Sequence, residues 1–329
     1  NLTAPSYNTS EEDVNLVQVE NESGMNQISF GGGTSGLNAA TTLRFLTASA
    51  VNTTSGTERL RITSAGRLVI GHTSEVTGAY DNSAQTKQVQ IVNGANDGNQ
   101  GLGIYSYSSA GWAPRLELAS SRSSSKGGHT VVTNGQSCGL MVFNGSDGTN
   151  FSTAAMIGSS VDGTPADNAI PGSLSFYTSP GAGLAERLRI TSAGYLTIPY
   201  QPRFSAYEGS TQTASGSAYK IEFSIANVNI GGHYSTSNDR FTAPVAGDYY
   251  FMYRVMAGAS TYLRCQFKVN GSYVLDQFFS EAVTYANNVG SMIYTLSVGD
   301  EVEVWCDVNN NSQGTIHGAY RCFVGYLLG

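Results

Sequence analysis

The chain reads as an all-β protein, a repeated β-rich shaft followed by a C-terminal globular sandwich, and three observations predict this. Gly numbers 39, charged residues are 12% and hydrophobic residues 40%, too apolar for disorder and too rich in Gly, Ser, Thr and Asn for helices. The run Glu-Arg-Leu-Arg-Ile-Thr-Ser-Ala-Gly occurs twice, from Glu58 and from Glu186, 128 residues apart. Aromatic residues gather toward the end, with 12 of the 19 tyrosines from Tyr207 onward, so the best core is expected there.

Residues 1–22 form a polar lead-in with a Ser-Glu-Glu-Asp run at 10–13. Ile28 and Phe30 then alternate before Gly31-Gly32-Gly33, and Leu43 and Phe45 lead to the first copy of the repeat. Within it Leu60 and Ile62 share a face, 64–66 turn the chain, and Leu68 and Ile70 restore the apolar face, the pattern of a β-hairpin. Leu174 and Phe176 precede the second copy as Leu43 and Phe45 precede the first. So small a one-sided apolar face cannot bury itself; it needs stacked neighbours or other chains, and a trimeric shaft meets that need. The repeated run resembles motifs recurrent in tail fibres of bacteriophages, particularly those infecting marine cyanobacteria. That resemblance spans residues 28–198 and implies a virion attachment fibre.

Between the copies, short β-like runs at 89–92, 101–107, 115–119, 129–133 and 139–143 are set off by Gly, Ser and Asn turns, and Trp112 is read as a core filler, an exposed contact being the alternative. The chain thus divides into a shaft segment with the first repeat (1–72), a middle module ending in the second repeat (73–200) and a globular head (201–329). Pro199 and Pro202 mark the hinge into the head.

In the head the spacing predicts strands at 204–207, 219–224, 233–234 with Phe241, 248–256, 262–269, 273–279, 289–296, 301–307 and 320–328, with Asn270-Gly271 as a two-residue hairpin turn. Glu301, Glu303 and Trp305 alternate with Val302, Val304 and Cys306, so that strand has one wet face. On 249–256 both faces are largely apolar: Tyr249, Phe251, Tyr253 and Val255 on one, Tyr250 and Met252 on the other. The last strand repeats this with Tyr326 and Leu328. One face then meets the sandwich core and the other a second subunit, which makes Tyr250, Met252, Tyr326 and Leu328 the expected trimer interface.

The spacing Phe223, Asn229, Tyr234, Phe241, Gly247, Tyr249, Phe251, Tyr253, with the ending Phe323-Val-Gly-Tyr-Leu-Leu, resembles the globular head of the complement first component, subunit q. The resemblance covers 203–329 and implies a jelly roll of the tumour necrosis factor class that forms compact trimers at the end of a stalk. Heads of this class bind proteins, glycans, lipids and ions through unrelated loops. In such a jelly roll the first and last strands are antiparallel neighbours, so counting strand directions from Arg203 places 258–261, 281–288 and 309–317 at the far tip. Tyr285, Asn287, Asn288, Asn309, Asn310, Asn311, Gln313 and His317 are therefore the expected receptor contacts, amides and rings suited to a sugar or a polar protein patch.

The charge of -7 and the lack of a basic stripe exclude a nucleic-acid partner, and no apolar run reaches the ~18 residues of a membrane span. Cys138, Cys265, Cys306 and Cys322 lack zinc spacing and disulfide-scaffold density, and read as buried free thiols with a Cys306 to Cys322 bridge as the alternative. No nucleophile elbow, phosphate loop or dinucleotide fingerprint occurs. His72, His129, His233 and His317 are isolated, and acidic pairs such as Asp162 with Asp167 are candidates for glycan cleavage, although such spacings are common in loops. The expected protein is a non-enzymatic, cofactor-free homotrimer, extracellular on a virion, joined to upstream tail components and binding a host surface glycan or protein. The alternative is a secreted or cell-surface adhesion protein with the same head; a glycan-degrading spike is third. The missing initial Met is read as upstream sequence removed.

Overall fold

The computed structural model describes residues 2–6, 10–22, 24–32, 36–80, 83–92, 101–107, 109, 111, 113–214, 218–260, 262–279, 283–308 and 314–329. Among these, strands are the regular structure, and the one helical piece is a 3-10 turn at Gly318–Tyr320. The chain forms two compact units, Asn1–Tyr195 and Leu196–Gly329.

The two copies of the repeat fold alike down to single hydrogen bonds. In the first, Leu43–Thr47 pairs antiparallel with Thr57–Ile62 in the register Leu43 to Ile62 and Phe45 to Leu60, with an irregularity after Phe45. In the second, Gly172–Thr178 pairs with Ala185–Ile190 in the register Leu174 to Ile190 and Phe176 to Leu188, irregular after Phe176. Glu58 holds Arg61 at 2.7 Å as Glu186 holds Arg189 at 2.7 Å. The Arg59 Nε donates to Thr47 Oγ1 at 3.0 Å and the Arg187 Nε to Thr178 Oγ1 at 2.8 Å. Both turns close through a glycine in the left-handed region, Gly66 at φ 73° and Gly194 at φ 82°, whose N–H donates to the carbonyl of Thr63 or Thr191. Sequence identity here is thus carried by turn chemistry and a fixed ion pair. The apolar face is left open: Phe45 is 57% exposed, and Ile62, Leu174 and Ile190 are exposed with it.

Of the runs expected between the copies, 89–92 is realised as Val89–Ile91 and 139–143 lies inside Ser137–Ser146. The runs 101–107, 115–119 and 129–133 have no ladder; Leu102, Tyr105, Leu116 and Val131 stand exposed, while Val132 is buried. Trp112 lies outside the described residues. Phe151–Val161 was not foreseen, because its Ser, Ala and Gly content imitates a loop; it is held between Ser137–Ser146 and Gly172–Thr178, with Thr153, Met156 and Val161 buried.

The C-terminal unit is a sandwich of two antiparallel sheets. The first runs Gln212–Ala214, Gly314–Ile316, Gly247–Ser260, Cys322–Leu327, Arg203–Tyr207, Ile225–Ile230, with Val283–Leu296 along the other flank of Gly247–Ser260. The second runs Tyr234–Ser235, Arg240–Thr242, Glu301–Val308, Leu263–Val269, Ser272–Phe279, with Tyr219–Lys220 also against Glu301–Val308. Chain neighbours are seldom sheet neighbours, and the connections cross between sheets, which is jelly-roll topology. Alternation decides what lies between: Tyr249, Phe251, Tyr253 and Val255 from one sheet and Phe267, Val302 and Val304 from the other are all fully buried. At the centre the Phe204 ring stacks on Tyr234 (4.7 Å) and meets Phe323 edge-on (4.8 Å).

Several expectations for this unit are corrected. Val283–Leu296 starts as a strand six residues earlier than expected, so Tyr285, Asn287 and Asn288 belong to a ladder and not to a loop. Tyr320 sits in the 3-10 turn, and the last strand is Cys322–Leu327. Ile225–Ile230 and Gln212–Ala214 are additional strands, their short polar patterns completed by partners distant in sequence. Cys306 does not face Cys322, which pairs with Arg254 in the other sheet; its neighbour is Cys265.

Candidate functional site

The outer face of the first sheet carries the expected interface residues. Tyr250 and Tyr326 face each other in register with ring centroids 5.3 Å apart, Met252 follows on the same face, and Leu328 closes the row. Inward neighbours Tyr249 and Phe251 are buried, while Tyr326 is 44% and Leu328 46% exposed. Val289 (54%) and Ile293 (65%), on the adjoining strand, extend the same apolar face. The sequence reading missed these two, although they alternate with Gly290 and Met292 in a pattern that strand periodicity shows.

The expected strand directions hold. Arg203, Gly247, the Asn270-Gly271 turn, Gly299 and Gly329 are at one end, and Ser260, Leu263, Val283, Val308 and Gly314 at the other. Asn270 adopts φ 49° and uses its side chain to bind Asp300 and the Glu301 N–H, as a turn asparagine should. At the far end Tyr285 is exposed and its ring meets His317 edge-on at 5.4 Å. His317 is half-buried against Gly258, where a Cβ would stand 2.7 Å from its Nε2. Asn287 is exposed beside them. Asn288 is 5% exposed and cannot contact a receptor: its amide donates to the carbonyls of Gln277 (3.0 Å) and Leu263 (3.4 Å) and accepts from the Tyr253 hydroxyl (3.2 Å). It faces the core because strand alternation puts it beside Ala286 and Gly290. Asn309, Asn310, Asn311 and Gln313 lie outside the described residues.

A second polar surface lies on the outer face of the second sheet, where the sequence reading foresaw the wet side of one strand but not the placement of Lys268 and Tyr273 against it. The Lys268 ammonium lies 3.6 Å from the centroid of Trp305 and 4.4 Å from that of Tyr273, and the Trp305 indole N–H donates to Glu303 at 2.8 Å. The predicted wet face of Glu301, Glu303 and Trp305 is observed, with Val302, Val304 and Cys306 buried opposite.

The carboxylates serve turns. Asp162 accepts from the Ser192 N–H at 2.7 Å, which holds its carboxyl below the ordinary range, the reverse of what a glycosidic general acid needs. Asp147, bonded by the N–H groups of Asn150 and Thr149 and the Ser152 hydroxyl, is pulled down to about 2. No group of three or more His, Cys, Asp or Glu that could hold a metal occurs among the described residues. Near the first sheet's edge, Arg321 is 3% exposed and donates to Gln212 Oε1 (2.8 Å) and the Ser210 carbonyl (3.1 Å); burial holds its pKa down. Burial also raises Asp239, whose carboxylate accepts from the Phe223 N–H at 2.7 Å.

Strand order and aromatic core define this unit as a jelly-roll head. Residues 203–328 match the family model of the C1q domain. Complement C1q tumor necrosis factor-related protein 2 of mouse (Mus musculus) is 32% identical over 112 residues, 33% of this chain and 37% of that protein. The human (Homo sapiens) protein of the same name is likewise 32% identical over 112 residues, 33% of this chain and 38% of that protein. Among solved structures, the globular domain of zebrafish complement 1qA protein is 19% identical, covering 39% of this chain and 98% of that domain with a TM-score of 0.33. The chain spans well under half the length of these two curated relatives.

Proposed function

We propose that this chain forms a homotrimeric, non-enzymatic attachment protein whose head recognises a surface molecule. One observation carries the reading: in the single chain the head leaves an apolar face open from Ile293 and Val289 through Tyr250 and Met252 to Tyr326 and Leu328, and such a face calls for another protomer to cover it. The likeness of residues 203–328 to heads of complement proteins supports a recognition role. The proposed receptor surface is the end bearing Tyr285, Asn287 and His317, and the proposal includes the segment 309–313 that joins Val308 to Gly314 in sequence; three such ends on one trimer multiply a weak site through effective concentration.

Within that class, the repeated Glu-Arg-Leu-Arg-Ile-Thr-Ser-Ala-Gly hairpin favours a virion tail fibre, extracellular and attached to upstream tail components, over a cellular adhesion protein. Its two copies share register, ion pair and turn, as modules of a shaft would. Adsorption of the labelled chain to cyanobacterial cells, compared with a variant in which 309–313 is replaced by Gly and Ser, tests the site and the host class together. Adsorption by the parent and loss in the variant, with the oligomer intact, is the expected result. Equal adsorption by both moves the site elsewhere on the head, and none by either, together with no capsid or tail genes beside the coding sequence, overturns the virion reading.

A further inference from the structure

Cys265 and Cys306 are buried side by side in the second sheet. Leu263–Val269 and Glu301–Val308 are antiparallel neighbours, and Cys265 stands directly opposite Cys306. The type of pair follows from the ladder. Asn270 N–H donates to the Glu301 carbonyl, so 270 and 301 form a hydrogen-bonded pair, and alternation along the strands makes 265 and 306 a non-hydrogen-bonded one. The other edge agrees: Ile221 N–H donates to Val304, so the backbone groups of Cys306 point to Tyr219 and away from Cys265. Non-hydrogen-bonded pairs bring Cα atoms to about 4.5 Å and side chains closest, inside the window a disulfide spans. The side chains are turned toward each other, with Sγ atoms 3.1 Å apart, closer than two sulfurs in ordinary van der Waals contact.

We infer that Cys265 and Cys306, free thiols in this structure, close a cross-strand disulfide when the chain folds in an oxidising medium. The reaction balances as thiol–disulfide exchange. One cysteine thiolate attacks a sulfur of a small-molecule disulfide such as oxidised glutathione, releasing one glutathione thiol. The second cysteine then attacks the mixed disulfide and releases the other, so the protein dithiol is oxidised and one disulfide is reduced to two thiols. Timing follows from burial: at 0% and 1% exposure neither sulfur is reachable in the native sandwich, and burial disfavours the Cys265 thiolate. The bond therefore forms as the two strands come together and is afterwards shielded from reductant. Cys138 and Cys322, half-buried and without a facing cysteine among the described residues, stay as thiols.

The test is to refold the full chain in mixed reduced and oxidised glutathione, denature without reductant, and alkylate with a maleimide. Two of the four cysteines should be alkylated, and peptide mapping should join Cys265 to Cys306. Alkylation of all four, or a bridge containing Cys138 or Cys322, overturns the inference. Treating the oxidised chain with dithiothreitol gives an independent measurement: the bridge should survive in native buffer and be lost in denaturant. Loss at the same rate in both would contradict a buried cross-strand bond.

Discussion

Replacing Tyr326 by Asp puts the proposed trimer to its sharpest test. The ring is packed on one side against Tyr250, and 44% of the residue is open in the single chain. A tyrosine presents ~200 Å², so roughly 90 Å² per protomer awaits cover, worth about 2 kcal/mol at ~25 cal/mol per Å². Summed over three protomers the loss is about 6 kcal/mol, a factor of roughly 10⁴–10⁵ in the dissociation constant. Because that constant for a trimer scales with the square of concentration, the midpoint should rise on the order of 100- to 300-fold, and the desolvation of three unpaired carboxylates pushes further in the same direction. Light scattering across a dilution series is the assay: the parent should read about three times the 34.7 kDa chain mass, and Tyr326→Asp should fall to the monomer mass where the parent stays whole. Tyr326→Phe controls for the ring itself and should behave as the parent. An unchanged midpoint for Tyr326→Asp would refute the assignment of this face to the interface.

Two further outcomes are expected of the head. At Gly325 a Cβ would lie 2.5 Å from Phe251 and 2.6 Å from Phe204, both fully or nearly buried rings, so Gly325→Ala should cost about 2 kcal/mol, lowering the melting temperature by roughly 5–10 °C in calorimetry; Gly329→Ala, which meets nothing, should not. Asp239 holds its proton in the folded state to a higher pH than the ordinary value of 3.8, so the fold bears a penalty for the ionised carboxylate that is full above the folded pKa and vanishes as pH falls below 3.8. Asp239→Asn keeps an acceptor for the Phe223 N–H and tolerates the φ of 46° at this position. It should therefore melt higher than the parent at neutral pH, with the gap closing in acid; a gap constant with pH would contradict the buried-charge account.

Much of the head was legible because its information is local. Tyr249, Phe251 and Tyr253 announce an inward face by period-two spacing, and all three are fully buried. Asn270-Gly271 announces its hairpin, because few residues accept a left-handed backbone. The repeat was legible for the same reason: each copy's ion pair and turn glycine lie within nine residues.

What the sequence by itself determined, then, is the all-β class, the sidedness of the aromatic strands, the repeated hairpin and the strand directions of the head, since each rests on alternation or turn chemistry between near neighbours. Tertiary structure alone decided which distant segments meet. Asn288 reads as a tip-loop amide until Tyr253, Leu263 and Gln277 surround it, and Phe151–Val161 reads as a loop until strands on both sides supply its ladder. Cys306 reads in the sequence as a buried thiol, with Cys322 as its alternative partner, until the ladder sets Cys265 opposite it. A choice between partners 41 and 16 residues away depends on sheet register, which side-chain alternation constrains but only the assembled ladder sets.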